Sequence, residues 1–241
     1  MVTPKSLNKP VLLSDVDGTL SKGFYILKFP EFLAKRGLFD KRELENLHKI
    51  INKYKKGLIN YETAGIEIVL TYGRGARGQK LDDYINLGFD YIKQNPHELF
   101  SFTVDLIEMF KDNGYTIIIA SGSPLEIIGP FGISIGADVS YGTKYVLDSQ
   151  EIFTGEVQLN LIEHEKKKLA ETFSIEHNSD IPRSIGFGDS YTDVQFMEYF
   201  GNSVAILPEP ILREIALKNN WLICDSEDSV LKEVRAFMNF N

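Results

Sequence analysis

Asp15-Val16-Asp17-Gly18-Thr19 follows directly on Val11-Leu12-Leu13-Ser14, and no other stretch constrains this chain as much. A short apolar run reads as a buried strand, here one that delivers two acids at its tip. If strand geometry persists, alternate side chains share a face, so Asp15 and Asp17 point the same way. Two carboxylates that close raise each other's cost of ionisation unless a cation or a shared proton lies between them. Such pairs concentrate where chemistry uses them. The plainer alternative is an Asp-Gly turn with solvated acids.

Three further segments weigh against that alternative. Thr116-Ile117-Ile118-Ile119-Ala120 is a β-branched run ending at Ser121-Gly122-Ser123-Pro124. It reads as strand, small-residue turn, then helix, with Ser123 as N-cap and Pro124 at the first helical position. Free N–H groups at a helix start, beside a hydroxyl, suit a phosphate oxygen. Ser184-Ile185-Gly186-Phe187-Gly188 similarly runs into Asp189-Ser190-Tyr191-Thr192-Asp193, and Glu165-Lys166-Lys167-Lys168-Leu169 opens an expected helix between the two. Singly, these are a capped helix, an acidic turn and a solvated lysine face. Together they offer a nucleophile, a phosphate cradle, a cation and a metal-binding acid.

In order and spacing these segments resemble the motifs of the haloacid-dehalogenase-superfamily phosphohydrolases, in particular the branch containing the phosphoserine phosphatases. The D-x-D-G-T motif matches Asp15 to Thr19, the S/T-G motif matches Ser121-Gly122, and the lysine motif matches Lys166. The G-D-x-x-x-D motif matches Gly188, Asp189 and Asp193. The similarity extends through Phe153-Thr154-Gly155-Glu156 and Glu209-Pro210-Ile211-Leu212, and so over nearly the whole chain.

The 241 residues suffice for one substantial domain, or one domain carrying an insert. An apolar share of 43% and a charged share of 25% are those of a soluble globular protein. With 26 basic against 34 acidic residues the net charge is −8, so a nucleic-acid partner gains no general electrostatic support. The lone Cys224 excludes an intrachain disulfide and a thiol-rich metal site, and its apolar neighbours Trp221-Leu222-Ile223 mark it as a small buried residue. The N-terminus lacks the basic flank and long apolar core of a secretory leader, and no stretch approaches the length of a membrane span. The expected setting is the cytoplasm.

Residues from about 22 to 98 lack strand–turn alternation. Phe24, Leu27, Phe29, Phe32 and Leu33 have helical character, and Leu44, Leu47, Ile50, Ile51 and Tyr54 follow at the spacing of one helix face. A third helix, through Ala64, Ile66, Ile68, Val69 and Tyr72, is expected to stop in the loop Gly73-Arg74-Gly75-Ala76-Arg77-Gly78. A fourth runs from Leu81 to before Pro96. From Phe102 onward helices and strands alternate, which calls for a parallel sheet covered by helices. The expected fold is therefore α/β: a Rossmann-like parallel sheet core (1–21 and 99–241) with a helical cap (22–98) inserted after the first strand, as in that branch.

The resemblance implies a magnesium-dependent phosphatase acting on a small phosphorylated metabolite. Magnesium would be held by Asp15, the backbone carbonyl of Asp17, and Asp189. Asp15 would form an aspartyl-phosphate, while Asp17 would protonate the leaving alcohol and later deprotonate water. Ser121 and the Gly122 N–H would hold phosphoryl oxygens, Lys166 would neutralise them, and Asp193 would orient Lys166 or a metal-bound water from behind. Adjacent lysines point about 100° apart on a helix, so only one faces the site, with Lys167 the second choice.

Phosphoserine phosphatases carry a cap glutamate for the substrate's amino group where this chain has Phe24. Their carboxylate-binding arginine falls near Ile68. Free phosphoserine is thus expected to be a poor substrate. Arg74 and Arg77 are candidates for an anionic substrate tail, or else ordinary surface charge on an exposed loop. A dehalogenase would have no need of Asp17. A phosphomutase or phosphotransferase of the same fold, or a non-catalytic phosphate-binding signalling module, remain alternatives.

Overall fold

The computed structural model describes residues 8–159 and 164–240. Of the stretch read for a leader, residues 1–7 lie outside them. Seven strands form one sheet in the order β4-β3-β2-β1-β5-β6-β7. The central strand β1 (Val11–Ser14) pairs in parallel with β2 (Thr116–Pro124) and β5 (Ile185–Gly188). Next to β5 stand β6 (Asn202–Ile206) and β7 (Leu222–Cys224), also parallel. On the other side β3 (Val139–Leu147) is parallel to β2, but β4 (Phe153–Leu159) returns antiparallel to it. The sheet is thus mostly parallel, with an antiparallel edge that strand–helix alternation did not announce.

Both faces of the sheet are covered, and the strands show why apolar runs predict this. Leu12, Ile117, Ile119, Phe187, Val204 and Ile206 pack into one core. Their neighbours Val11, Leu13, Ile118, Ala120 and Ala205 pack into a second. A period of two that is apolar on both phases needs helices on both sides. These are α5 (Thr103–Asp112), α6 (Leu125–Ile135), α7 (His164–Glu176), the short α8 (Val194–Met197), α9 (Pro210–Asn219) and α10 (Val230–Met238).

Four helices stand between β1 and α5: α1 (Tyr25–Ala34), α2 (Lys41–Lys55), α3 (Tyr61–Ala76) and α4 (Leu81–Gln94). Asp40 caps α2, accepting from the Arg42 and Glu43 N–H groups, and Asn60 caps α3 by accepting from Thr63 N–H. The third helix does not stop at Gly73. It continues to Ala76, so the expected glycine-rich loop is its last turn. Close approach explains the composition: a Cβ on Gly75 would lie 2.1 Å from the Phe39 ring. Only glycine lets α3 pack that tightly, and tertiary packing overrides its poor helix propensity.

Candidate active site

The strand order reverses at β1, whose successors β2 and β5 lie on opposite sides of it. In open α/β sheets such a switch point leaves a crevice beyond the strands' C-terminal ends. Here a cleft of about 330 Å³ opens there, with Asp15, Asp17, Ser121, Gly122, Lys166 and Asp189 among its lining residues.

Both acids of the first motif reach this cleft, but not by strand alternation. The strand ends at Ser14, and the Val16 carbonyl then accepts from Thr19, Leu20 and Ser21 N–H groups, folding the chain into a tight turn. Gly18 sits in it at φ +97°, and a Cβ there would fall 2.1 Å from an Asp189 carboxylate oxygen. The glycine lets the first and last acidic motifs meet.

The turn gives the two acids different surroundings. Asp15 faces Lys166, whose ammonium donates to Asp15 Oδ1 at 2.5 Å and to Asp193 Oδ1 at 2.8 Å. Thr19 Oγ1 lies 3.3 Å from Asp15 Oδ2 and 3.2 Å from Asp189 Oδ1. Asp17 has no lysine contact. It accepts from the Tyr25 N–H at 2.8 Å, at the N-terminus of α1, and from the Ser121 and Ser123 hydroxyls at 2.7 and 2.8 Å. Burial pushes the Asp17 carboxyl above its ordinary range, against the pull of these donors.

Ser123 is therefore not a helix cap. β2 runs on to Pro124, which occupies the cap position of α6, and the Ser123 hydroxyl is turned onto Asp17. Ser121 Oγ also accepts from the Ser123 N–H at 2.9 Å, and the Gly122 carbonyl accepts from Thr143 Oγ1.

Of the three adjacent lysines, Lys166 alone is buried in the cleft floor. Lys167 and Lys168 are exposed, 4.0 Å from Glu171 and 3.8 Å from Glu165. Asp193, fully buried, holds Lys166 through Oδ1, while its Oδ2 accepts from the Asp189 and Ser190 N–H groups and the Ser190 hydroxyl. It thereby fixes both the lysine and the loop carrying Asp189.

Carboxylate oxygens of Asp15, Asp189 and Asp193 lie within 4.8 Å of one another. Burial, reinforced by mutual repulsion, raises both Asp15 and Asp189 despite Lys166. Three acids around one lysine carry surplus negative charge, and an all-oxygen donor set suits a hard divalent cation. The site fits magnesium. The Asp17 carboxylate stands outside this cluster, engaged by its three donors.

Phe24, the N-cap residue of α1, lines the cleft. Arg74 does not. It lies on α3, 3.1 Å from Glu43 and bonded to Thr71 Oγ1, in a separate larger hollow of about 500 Å³ between α2 and α3. That hollow holds none of the clustered acids. Arg77 is also absent from the cleft, its side chain lying beside Gly155. Ile68 packs against the core.

Several lining residues escaped the sequence reading: Ile26, Tyr61, Tyr191, Glu209 and Ile211. Tyr61 had a usable signal, because Asn60 with Thr63 three residues later marks a helix N-terminus, and side chains there face whatever lies beyond it. Tyr191, Glu209 and Ile211 lie within or beside quoted motifs, but nothing in their spacing turns them inward.

Comparison with known proteins agrees with this geometry. The chain is 27% identical over 217 residues to phosphoserine phosphatase SerB1 of Mycobacterium tuberculosis, covering 88% of this chain and 69% of that protein. It is 31% identical over 127 residues to the "Inhibition of morphological differentiation protein" of Streptomyces azureus, covering 53% of this chain and only 46% of that one. In fold it is similar to a protein of unknown function from Bordetella pertussis Tohama I (TM-score 0.76, 18% identity, 91% of this chain and 99% of that one). A substrate-bound phosphoserine phosphatase structure also matches, at TM-score 0.66 and 18% identity over 96% and 99% of the two chains. The family model for haloacid dehalogenase-like hydrolases matches residues 12–198, a span that includes every acid of the cleft floor and Lys166, and the chain belongs to that family.

Proposed function

We propose that this chain is a magnesium-dependent phosphatase that hydrolyses a small phosphate monoester through an aspartyl-phosphate on Asp15. The observation that carries the reading is the opposite settings of two neighbouring acids. Asp15 is paired with a lysine, as suits an ionised nucleophile. Asp17, partly buried and bonded to no cation, is held instead by the Tyr25 N–H and the Ser121 and Ser123 hydroxyls and faces the cleft, as suits a group that passes a proton to the leaving oxygen.

Asp15, the Asp17 backbone carbonyl and Asp189 would hold the magnesium ion, which when bound offsets the repulsion between a phosphate dianion and a carboxylate. An Asp15 oxygen attacks phosphorus as the bond to the leaving oxygen breaks, and Asp17 supplies the proton that oxygen needs. Asp17 then takes a proton from the water that attacks the aspartyl-phosphate, as the phosphorus–oxygen bond to Asp15 breaks to restore its carboxylate and release inorganic phosphate. Lys166 balances charge on the phosphoryl oxygens, and Ser121 with the Gly122 N–H holds them. Asp193 keeps the lysine in place.

Residues 22–98 act as a cap over a core of 1–21 and 99–241. Tyr61 at the start of α3 and Thr192 in the loop after β5 line the same cleft, so this helical segment borders the acids beneath it. The names of the relatives support a phosphatase, but Phe24 and Ile68 argue against free phosphoserine as the preferred substrate. Phosphate release from p-nitrophenyl phosphate and a panel of phosphorylated metabolites, with magnesium and with a chelator, tests the reading. Turnover that is indifferent to chelation, or absent across the panel, would overturn it.

A further inference from the structure

Exposed aromatic rings are few among the described residues: Phe24, Tyr54, Tyr61, Phe89, Tyr191 and Phe237. Four of the six, Phe24, Tyr54, Tyr61 and Tyr191, line the one cleft that holds the acids. Scattered exposed rings need no explanation, whereas convergent ones mark a binding surface. Two pack on each other: Tyr54 and Tyr61 stand edge to face, centroids 6.1 Å apart and planes at 71°. They form a corner, opened by the end of α2 and the start of α3.

The charges in the cleft decide what such a corner receives. Among the described residues its only cationic side chain is Lys166, already engaged by Asp15 and Asp193. No arginine reaches it, so a leaving-group carboxylate would find no partner. Even with a divalent cation balancing the phosphate dianion, Asp15, Asp189 and Asp193 outnumber that lysine, and Glu209 adds a further acid to the lining. The field where the leaving group sits is negative, and the faces of aromatic rings are negative too.

We infer that the cleft selects a phosphate monoester whose leaving group carries an alkylated ammonium and no carboxylate, the ammonium resting against Phe24, Tyr54, Tyr61 and Tyr191 with Glu209 as its counter-ion. This rests on the phosphatase reading of the same cleft. A trimethylammonium suits the surroundings better than a primary ammonium, because ring faces offer apolar and electrostatic contact but few hydrogen-bond acceptors.

The test compares phosphocholine with 3,3-dimethylbutyl phosphate, which has the same shape but a neutral tert-butyl group in place of the trimethylammonium, using the native protein with magnesium. Cation–π contacts with these rings predict a kcat/KM ratio of roughly tenfold or more in favour of the cation. Tyr54→Leu, Tyr191→Leu and Glu209→Gln should each pull that ratio toward one. Phosphoserine should fall well below phosphocholine. A ratio near one or reversed, or phosphoserine matching phosphocholine, would overturn the inference. Hydrolysis of p-nitrophenyl phosphate by the native protein reports separately on the phosphatase reading. If it fails, calorimetric binding of the same cation–neutral pair still reads the selectivity.

Discussion

The floor of the cleft and its walls are built on opposite principles. On the floor, Asp15, Asp193, Ser121 and Lys166 are buried, and each makes hydrogen bonds to two or more neighbours. They sit at or just beyond strand ends, or on a helix packed against the sheet. On the walls, Phe24 is 65% exposed and Tyr191 49%, and both stand at helix starts or in loops. A buried polar network holds one arrangement because every broken bond leaves an unsatisfied group. Exposed rings carry no such penalty. The floor is therefore where chemistry is fixed, and the walls are where substrate choice can vary.

The largest effect should come from breaking the floor at its nucleophile. Asp15→Asn should lower magnesium-dependent phosphate release by at least about 10⁴-fold and leave no trappable phosphoenzyme, because no neighbouring carboxylate can take its position. Substantial residual turnover would contradict the division of roles. Asp17→Asn is expected to be graded instead. Loss of roughly 10²–10⁴-fold is predicted for an alkyl ester and clearly less for p-nitrophenyl phosphate, which leaves with little need of a proton. Equal losses on both esters would remove Asp17 from its acid role.

The walls should respond more weakly and in one direction. Phe24→Glu alone should not make phosphoserine a good substrate, because Ile68 packs into the core and no cation replaces the missing carboxylate partner. Steady-state kinetics on phosphoserine check this, and a rise of tenfold or more would show that the carboxylate finds a partner after all.

A third buried acid sharpens the contrast. Glu126, in the first turn of α6, makes no ion pair among the described residues, and its Oε2 has no hydrogen-bond partner. Burial pushes its carboxyl up to about 7 from an ordinary 4.5. A carboxyl raised on folding makes the native state bind the extra proton, so its contribution is full below about pH 4.5 and is lost as pH climbs through about 7. Glu126→Gln should therefore flatten the fall of Tm over that window and stabilise the protein above it, by at most about 3 kcal/mol. Thermal melts at pH 5 and pH 8 decide it, and parallel curves for native and variant would refute the assignment. The smallest effect is expected outside both regions. Arg74→Ala should leave kcat/KM within about twofold and cost no more than ~1 kcal/mol, since its pair with Glu43 is partly exposed.

The strands and their acids were legible because local sequence determines them. Runs such as Ile117-Ile118-Ile119 are apolar on both phases and must lie inside a covered sheet, and an acid placed directly after such a run must emerge at the strand's end. Asp189 and Asp193 were legible because they follow an apolar strand, and a parallel sheet returns strand tips to the same edge, whereas Lys166, on α7, was legible only by its match to the family's lysine motif. Cys224 is buried in β7, as its apolar neighbours required.

Other features depended on residues far apart in the chain. Gly73 to Gly78 reads as a loop by propensity, yet α3 runs through Gly73 and Gly75, with Phe39 lying where a Gly75 side chain would be. Arg74 lies on that last turn and is held by Glu43 and Thr71 outside the cleft. Ser123 has the composition of a helix cap, but a partly buried carboxylate 106 positions earlier in the chain captured its hydroxyl. The convergence of Tyr54, Tyr61 and Tyr191 is likewise a matter of how α2, α3 and the loop after β5 meet, which no spacing encodes. By itself the sequence determined which groups could react, because their types and their strand-end positions are local properties. Only the tertiary structure decided which of them face one another and what surrounds the leaving group, because those depend on the packing of segments that the chain keeps apart.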